Sequence, residues 1–256
     1  MKVRHLLIGT SLLAAMTLSA QAHQGNFSGF YAGAQYGTMH SKADLRANTE
    51  YYTDERIRPG DITTKLRYNR NVSTTNVIGG LHAGYGKQFS NSFYLGIEAY
   101  GNLSNHLAQT SFKDFEHTNI NELYRDRIPY ERNLKLERKN TLGITLRPGI
   151  VFGNTLLYAK LGIESAHLSL KDDIKDRDTL YRDDIKIPSS TTHKRVYGFV
   201  PGIGASFKVT DHVLLGLEVT HALYKNTTFN LSKKNSKASL KSQTYNEFFA
   251  RVSYKW

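Results

Sequence analysis

Most of this sequence consists of segments in which apolar and polar residues alternate one by one. In the segment 93–105 one set of alternate positions is apolar: Phe93, Leu95, Ile97, Ala99 and Leu103. The intervening positions hold Tyr94, Gly96, Glu98, Tyr100 and Asn102. Because successive side chains of a β-strand point to opposite faces, this period of two predicts strands with one apolar and one polar face. After residue 22 no window approaches the roughly 18 consecutive apolar residues of a membrane helix, which excludes helical membrane proteins.

The alternating segments number eight, an even count that suits a closed antiparallel sheet. The predicted strands span residues 28–39, 73–89, 93–105, 141–152, 155–169, 195–208, 213–225 and 244–256. Short connections at 90–92, 153–154 and 210–212 alternate with long ones at 41–71, 106–139, 171–193 and 226–243. A transmembrane barrel with short periplasmic turns and long extracellular loops has this order. The sequence therefore predicts an all-β fold, an eight-stranded antiparallel transmembrane β-barrel.

The start of the chain has the features of a Sec-type signal peptide. A positively charged beginning precedes an apolar stretch at 6–18, and Ala20 and Ala22 form an A-x-A cleavage motif. We expect residues 1–22 to be removed and residues 23–256 to form one barrel domain. The chain has no cysteine, so an exported protein of this sequence is held together without disulfides.

The alternation alone does not say which face points outward. A soluble lipocalin-like barrel turns its apolar face inward around a ligand, whereas a membrane barrel turns it toward lipid. Two features favour the membrane barrel: glycines cluster on the charged face, and aromatic residues gather near strand ends, as in interfacial girdles. These aromatic residues are Tyr31, Tyr36, Tyr85, Phe89, Phe93, Phe152, Tyr197, Phe207, Tyr224, Tyr245, Tyr254 and Trp256.

Four segments resemble the OmpA-like and opacity-type outer-membrane barrels, often called porin family proteins. They are GFYAGAQYG at 29–37, GGLHAGYG at 79–86, PGIGA at 201–205 and FFARVSYKW at 248–256. The resemblance implies a location in the bacterial outer membrane and insertion by the barrel assembly machinery. It also implies an assembly signal in the alternating aromatic tail, formed by Phe248, Val252, Tyr254 and Trp256, although the family's usual last residue is Phe.

Charged residues also occur on the predicted inner face. They are Glu98, Arg147, Lys160, Glu164, Glu218 and Arg251. The interior of an eight-stranded barrel is just wide enough to be filled by side chains. Since unpaired buried charges cost several kcal/mol each, we expect an internal ion-pair network that plugs the lumen. A narrow ion channel lined by the same residues is the alternative.

The long loops are the predicted seat of function, because the first two, of about 30 residues each, exceed what connection requires. The last loop carries a basic cluster, Lys233, Lys234, Lys237 and Lys241. The net charge of +12 on an exported chain points to outer-membrane lipid, lipopolysaccharide or host surface and matrix ligands rather than to nucleic acid. A solvated surface that varies under immune pressure is the alternative to specific binding.

The motifs of enzymes and metal sites are weak. His167-Leu168-Ser169 is an H-x-S tripeptide, the nearest match to the lipid A-modifying outer-membrane enzymes, in which His activates Ser. Its surroundings differ from the motif of that family. The ten His residues stand singly, without the spacing of metal ligands. The sequence predicts no catalytic residue, no cofactor and no metal.

Overall fold

The computed structural model describes residues 26–52, 63–89, 92–114, 130–176, 190–230 and 237–256, so the predicted signal peptide lies outside the described residues. These ranges form nine strands: β1 Gly29–Tyr52, β2 Thr63–Gln88, β3 Phe93–Asp114, β4 Tyr130–Phe152, β5 Thr155–Asp176, β6 Ser190–Lys208, β7 Val213–Tyr224, β8 Thr227–Asn230 and β9 Lys237–Lys255. The described ranges contain no helix long and apolar enough to cross a bilayer.

The strands form one closed antiparallel barrel. Each strand from β1 to β6 pairs with the next in sequence, β7 pairs with both β6 and β9, and β9 returns to pair with β1. β8 continues the register of β7 against β9, because Leu223 faces Thr244 and Thr227 faces Leu240. β7 and β8 are therefore one barrel strand interrupted at residues 225–226. The predicted eight-stranded antiparallel barrel is confirmed.

The tight turns lie at one end, together with both ends of the barrel-forming segment. Phe152 pairs with Thr155, so only Gly153 and Asn154 connect β4 to β5. Gly153 has φ of 54°, a left-handed conformation that glycine adopts without steric cost. At the β6–β7 turn, Lys208 donates a 2.7 Å hydrogen bond to Asp211, which lowers the pKa of that carboxyl.

A band of apolar side chains faces outward near this end of the barrel. About ten residues of each strand are enough to cross the hydrocarbon core, and on β3 to β5 this section carries Ile97, Leu103, Leu142, Ile144, Leu146, Leu157, Leu161 and Ile163, all exposed. Trp256, Phe30, Tyr36 and Tyr197 are exposed at the edges of the band. Three of the predicted girdle aromatics do not belong to it, because Tyr31, Tyr224 and Tyr245 are buried in the lumen.

Beyond the band the strands continue and their faces exchange polarity. On β1, His40, Lys42 and Arg46 point outward, while Met39 and Leu45 are buried inside. The inward side chains of the other strands join one apolar cluster that includes Leu134, Leu168, Leu170, Val196, Phe229 and Leu240. A barrel that leaves the membrane has water outside, so its outward face must become polar and its interior can become an apolar core.

This outer section divides into two sheets. The β2–β3 ladder ends at the pair Ile78–Ser104, and the β6–β7 ladder ends at the pair Gly198–Tyr224. Above these points, β8, β9, β1 and β2 pair with one another, and β3, β4, β5 and β6 form the second sheet. The apolar cluster draws residues from both sheets, so the outer section packs as a small β-sandwich.

The barrel strands are longer than the sequence indicates, since they extend by about 5 to 13 residues into the predicted loops at the outer end, with β7 and β8 counted as one strand. The basic loop is corrected accordingly. Lys237 and Lys241 lie on β9 and are exposed there, whereas Lys233 and Lys234 lie outside the described residues. A loop was predicted because polar residues dominate the outward face of these segments, which lies in water.

Candidate functional site

The largest concentration of buried charge lies in the lumen within the apolar band. Arg147 donates to Glu98 at 2.6 Å and to Glu218 at 3.0 Å. Arg251 also bridges the same two acids, at 2.6 Å to Glu98 and in close contact with Glu218. Lys160 donates to the second oxygen of Glu218 at 2.7 Å. All five side chains are at most 5 % exposed, so three bases and two acids form one buried network.

A second network lies directly toward the outer end. Arg138 donates to Glu247 at 2.7 Å and to Glu164 at 3.1 Å, and the Arg138 side chain is fully buried. Its guanidinium lies 4.6 Å from the ring centroid of Tyr245. Thr220 donates to the remaining oxygen of Glu247 at 3.0 Å. The outer network therefore holds one base and two acids, which balances the surplus positive charge of the inner one.

The sheet register leaves room for the charges. Each of the six predicted charged residues faces a glycine on a neighbouring strand; the pairs are Glu98–Gly84, Arg147–Gly96, Lys160–Gly202, Glu164–Gly143, Glu218–Gly204 and Arg251–Gly216. A glycine removes side-chain volume from an interior that has little to spare. This pairing explains why glycines cluster on the charged face of the sequence.

Four lumen tyrosines link the glycines to the charges. Each is paired with a glycine of the adjacent strand: Tyr31–Gly84, Tyr100–Gly143, Tyr158–Gly204 and Tyr224–Gly198. Tyr158 donates to Glu218 at 2.8 Å and Tyr100 donates to Glu164 at 2.7 Å, while Tyr224 also donates to Glu164. Tyr31 accepts a hydrogen bond from Arg147. Each tyrosine ring thus occupies the space that a side chain would take at its glycine partner. The tyrosine hydroxyls meanwhile form hydrogen bonds with the buried charged groups.

The networks are enclosed at both ends. Toward the periplasmic turns, a second apolar cluster consists of Phe27, Tyr94, Val151, Leu156, Tyr158 and Leu214. Toward the outside, the sandwich core lies over the Arg138 network. Between the two networks, the Lys160 ammonium lies 4.2 Å from the ring centroid of Tyr100. Within the described strands, side chains therefore occupy the lumen from the periplasmic cluster to the sandwich core.

All six charges that the sequence placed inside lie in these networks, but Arg138 and Glu247 were not among them. Glu247 lies on the same face of β9 as Arg251, because their positions differ by an even number of residues, so the alternation alone places it inside the barrel. In a strand that alternates regularly, Arg138 and Arg147 would point to opposite faces. Arg138 nevertheless reaches the lumen, because the β4–β5 register shifts between Arg138 and Thr141. At the resulting bulge, Lys139 and Asn140 are both exposed. No residue pattern in this stretch marks the bulge in advance.

Neutral polar groups fill the remaining lumen. Gln35 donates to Asn102 at 2.6 Å. His82 is buried, and its Nε2 lies 2.7 Å from the Ser253 hydroxyl. Within the described ranges, no group of three or more His, Asp or Glu residues is arranged to hold a metal ion.

The H-x-S motif does not assemble a catalytic triad in the part of the chain that is described. His167 packs against the ring of His193, with 5.5 Å between centroids. Ser169 is 2 % exposed and pairs with Glu137 and His193 across the two neighbouring strands. No described carboxylate accepts a hydrogen bond from His167, so nothing there orients its imidazole as a general base.

A closed antiparallel barrel with an apolar outer band and a filled, charged lumen defines a transmembrane β-barrel protein. The family model described as outer membrane protein beta-barrel domain matches residues 10–255. The chain therefore belongs to this family and is a protein of the bacterial outer membrane. No curated protein matches the sequence significantly.

Several solved structures resemble the chain in fold. OprG from Pseudomonas aeruginosa is 14 % identical with a TM-score of 0.51, and the match covers 92 % of this chain and 99 % of OprG. Neisserial surface protein A is 14 % identical with a TM-score of 0.37, covering 90 % and 98 %. Ail of Yersinia pestis, solved with the heparin analogue sucrose octasulfate, is 11 % identical with a TM-score of 0.33, covering 87 % and 99 %.

Proposed function

We propose that this protein is a closed, non-conducting scaffold that presents its outer loops to the environment or to a host surface. The observation that carries the proposal is the filled lumen. Four bases and four acids lie buried together between two apolar clusters. In this proposal residues 1–22 direct export and the aromatic tail directs assembly in the membrane.

Ion conduction is disfavoured by the same arrangement. A permeating ion would have to separate buried ion pairs, and breaking one such pair costs about 3–5 kcal/mol. It would then meet the sandwich core, where Leu134, Leu168 and Leu240 are at most 1 % exposed. Apolar side chains offer an ion no replacement for its hydration shell.

The extended strands support a display role. The outer section carries a polar surface and its own apolar core, so it can stand in water above the membrane. Its strands end at the segments 53–62, 115–129, 177–189 and 231–236, which lie outside the described residues. The adjoining sequence is rich in tyrosine and charge, a composition suited to contacts with glycans or proteins.

Conductance tests the closed lumen. Purified protein refolded into planar bilayers should give no unitary current steps. The Glu98→Gln and Arg147→Gln variants should give none either. Steady conductance that either substitution alters would contradict the closed scaffold and favour a channel.

Adhesion tests the display role. Bacteria that express the protein should bind matrix-coated surfaces, and replacing 53–62 and 115–129 by short Asn-Gly turns should abolish binding while the barrel still folds. The matched control replaces the periplasmic turn 209–212, which should leave binding unchanged. Equal binding by the trimmed protein would refute the role of these loops.

A further inference from the structure

A patch of outward-facing cations lies at the outer edge of the apolar band, where β6 meets β7. On β6 the last lipid-facing aromatic is Tyr197, and exposed Arg195 occupies the next outward position. On β7 the last lipid-facing residue is Leu223, and exposed Lys225 follows it. Since Gly198 pairs with Tyr224, Lys225 lies level with Tyr197. Both cations therefore lie where hydrocarbon gives way to lipid headgroups.

The patch coincides with a seam between the two outer sheets. The β6–β7 ladder ends at Gly198, and the Lys194 ammonium reaches across to the backbone carbonyl of Thr228 at 3.0 Å. Exposed His193 lies on the same edge of β6. Four basic or titratable side chains, His193, Lys194, Arg195 and Lys225, thus border one short stretch of the seam.

Acidic residues do not neutralise this patch within the described part of the chain. The ion pairs between partly or fully exposed side chains are Lys139–Glu137, Lys171–Asp173 and Lys208–Asp211. Arg195 and Lys225 take part in none of them. Two cations without an acidic partner at a headgroup boundary create a positive potential that attracts anionic lipid.

An apolar groove lies directly beneath the cations on the lipid-facing surface. It has a volume of about 710 Å³, and its walls include Ile144, Ile163, Tyr197, Phe199 and Leu223, with Lys225 at its rim. The groove is open along the lipid-facing side, as a site for hydrocarbon chains must be. An apolar groove below and cations above match a ligand that has acyl chains below and a negative charge above.

We propose that this patch binds the phosphorylated, multiply acylated glycolipid of the outer leaflet, the lipid A part of lipopolysaccharide. An acyl chain lies in the groove, and a glucosamine phosphate contacts Arg195 and Lys225. The planar guanidinium suits bidentate contact with phosphate oxygens, and the lysine acts as a second, flexible point charge. Neither Arg195 nor Lys225 takes part in the ion-pair networks of the lumen, so the two cations can be replaced without disturbing those networks.

Lipid binding to the refolded mature protein in phosphatidylcholine nanodiscs tests the site, with bisphosphorylated lipid A as the probe and native mass spectrometry as the readout. The double variant Arg195→Gln/Lys225→Gln should weaken retention of lipid A by about tenfold or more. The matched control Lys87→Gln/Lys208→Gln removes two cations near the periplasmic end and should retain lipid A fully. The charge-preserving variant Arg195→Lys/Lys225→Arg should retain most of it.

Dephosphorylated lipid A supplies a test that needs no variant, since the wild-type protein should bind it at least tenfold more weakly. Each variant must first show the heat-modifiable gel shift of a folded barrel. Equal retention by the glutamine double variant, equal loss in the control, or equal binding of the dephosphorylated lipid would overturn the proposal. Binding of a soluble polysulfated glycan without binding of lipid A would overturn it too and assign the cations to a glycan.

Discussion

At the scale of single residues, the lumen depends on matched sets of charge, tyrosine and glycine. Arg138 is the only cation within hydrogen-bonding distance of Glu164 and Glu247 among the described residues. Its position between two aromatic rings, those of Tyr224 and Tyr245, further favours a planar cation. Removing it leaves two buried carboxylates without a counter-ion.

Arg138→Met should therefore lower the free energy of unfolding by about 3–5 kcal/mol. Guanidinium unfolding of the detergent-refolded protein measures this loss. The control Lys139→Met alters the adjacent, exposed residue and should change stability by no more than about 0.5 kcal/mol. Equal effects of the two substitutions would show that the outer network does not hold the barrel together.

The tyrosine and glycine pairs predict a second effect. A methyl group added at Gly204 would lie 2.4 Å from the ring of Tyr158, whereas one added at Gly79 meets nothing closer than 3.5 Å. Gly204→Ala should cost about 1–3 kcal/mol through overpacking, and Gly79→Ala should cost little. Adding Tyr158→Leu to Gly204→Ala should be less than additive, because the clash is lost with the ring. Strict additivity, measured in the same unfolding assay, would contradict the proposed packing.

At the scale of elements, the bulge in β4 sets which face each residue occupies. Leu134, Leu136 and Arg138 point inward on one side of it, and Thr141, Thr145 and Arg147 point inward on the other. These two groups have opposite phase in sequence. One extra residue at 139–140 therefore lets a single strand serve both the membrane section and the sandwich.

Deleting Lys139 and Asn140 together should consequently abolish folding, because Arg138 then directly precedes Thr141, and keeping Thr141 inward turns the charged Lys135 and Glu137 toward the apolar core. Deleting Asn140 alone removes only the extra residue, so Arg138 and Thr141 still point inward on either side of Lys139, and this variant should preserve the heat-modifiable gel shift of the barrel. The bulge would have no such role if both deletions folded equally well.

The sequence was sufficient to predict the strands of the membrane section. It was not sufficient to predict the strand extensions above the membrane. Alternation in a segment such as 155–169 places Lys160 and Glu164 inside because lipid forces one face to be apolar. Above the membrane, water outside and a core inside give the reverse pattern, as in Lys171 outward and Leu170 inward. A polar outward face and an unmarked bulge made these extensions resemble loops. Arg138 was missed for the same reason.

At the scale of the whole molecule, a membrane barrel and a β-sandwich are joined end to end. The inner part has an apolar exterior and charged interior, as membrane barrels require, and the outer part has a polar exterior and apolar interior, as soluble sandwiches require. The inner section is the membrane barrel that the sequence favoured, and the outer section shares only an inward apolar face with the soluble alternative. Contacts in the sandwich core hold the outer strands over the ion-pair networks of the lumen.

The reversal of polarity along β5 is tested most directly by cysteine accessibility, because the chain has no cysteine of its own. Single cysteines replace Leu161 and Ile163 in the band, Leu168 and Leu170 in the core, and Lys171 and Asp173 on the outer surface. A membrane-impermeant maleimide applied to intact cells should label positions 171 and 173 and leave the other four unlabelled. Labelling at 161 and 163, or labelling at 168 and 170 equal to that at 171 and 173, would contradict a membrane band topped by a sandwich with an apolar core.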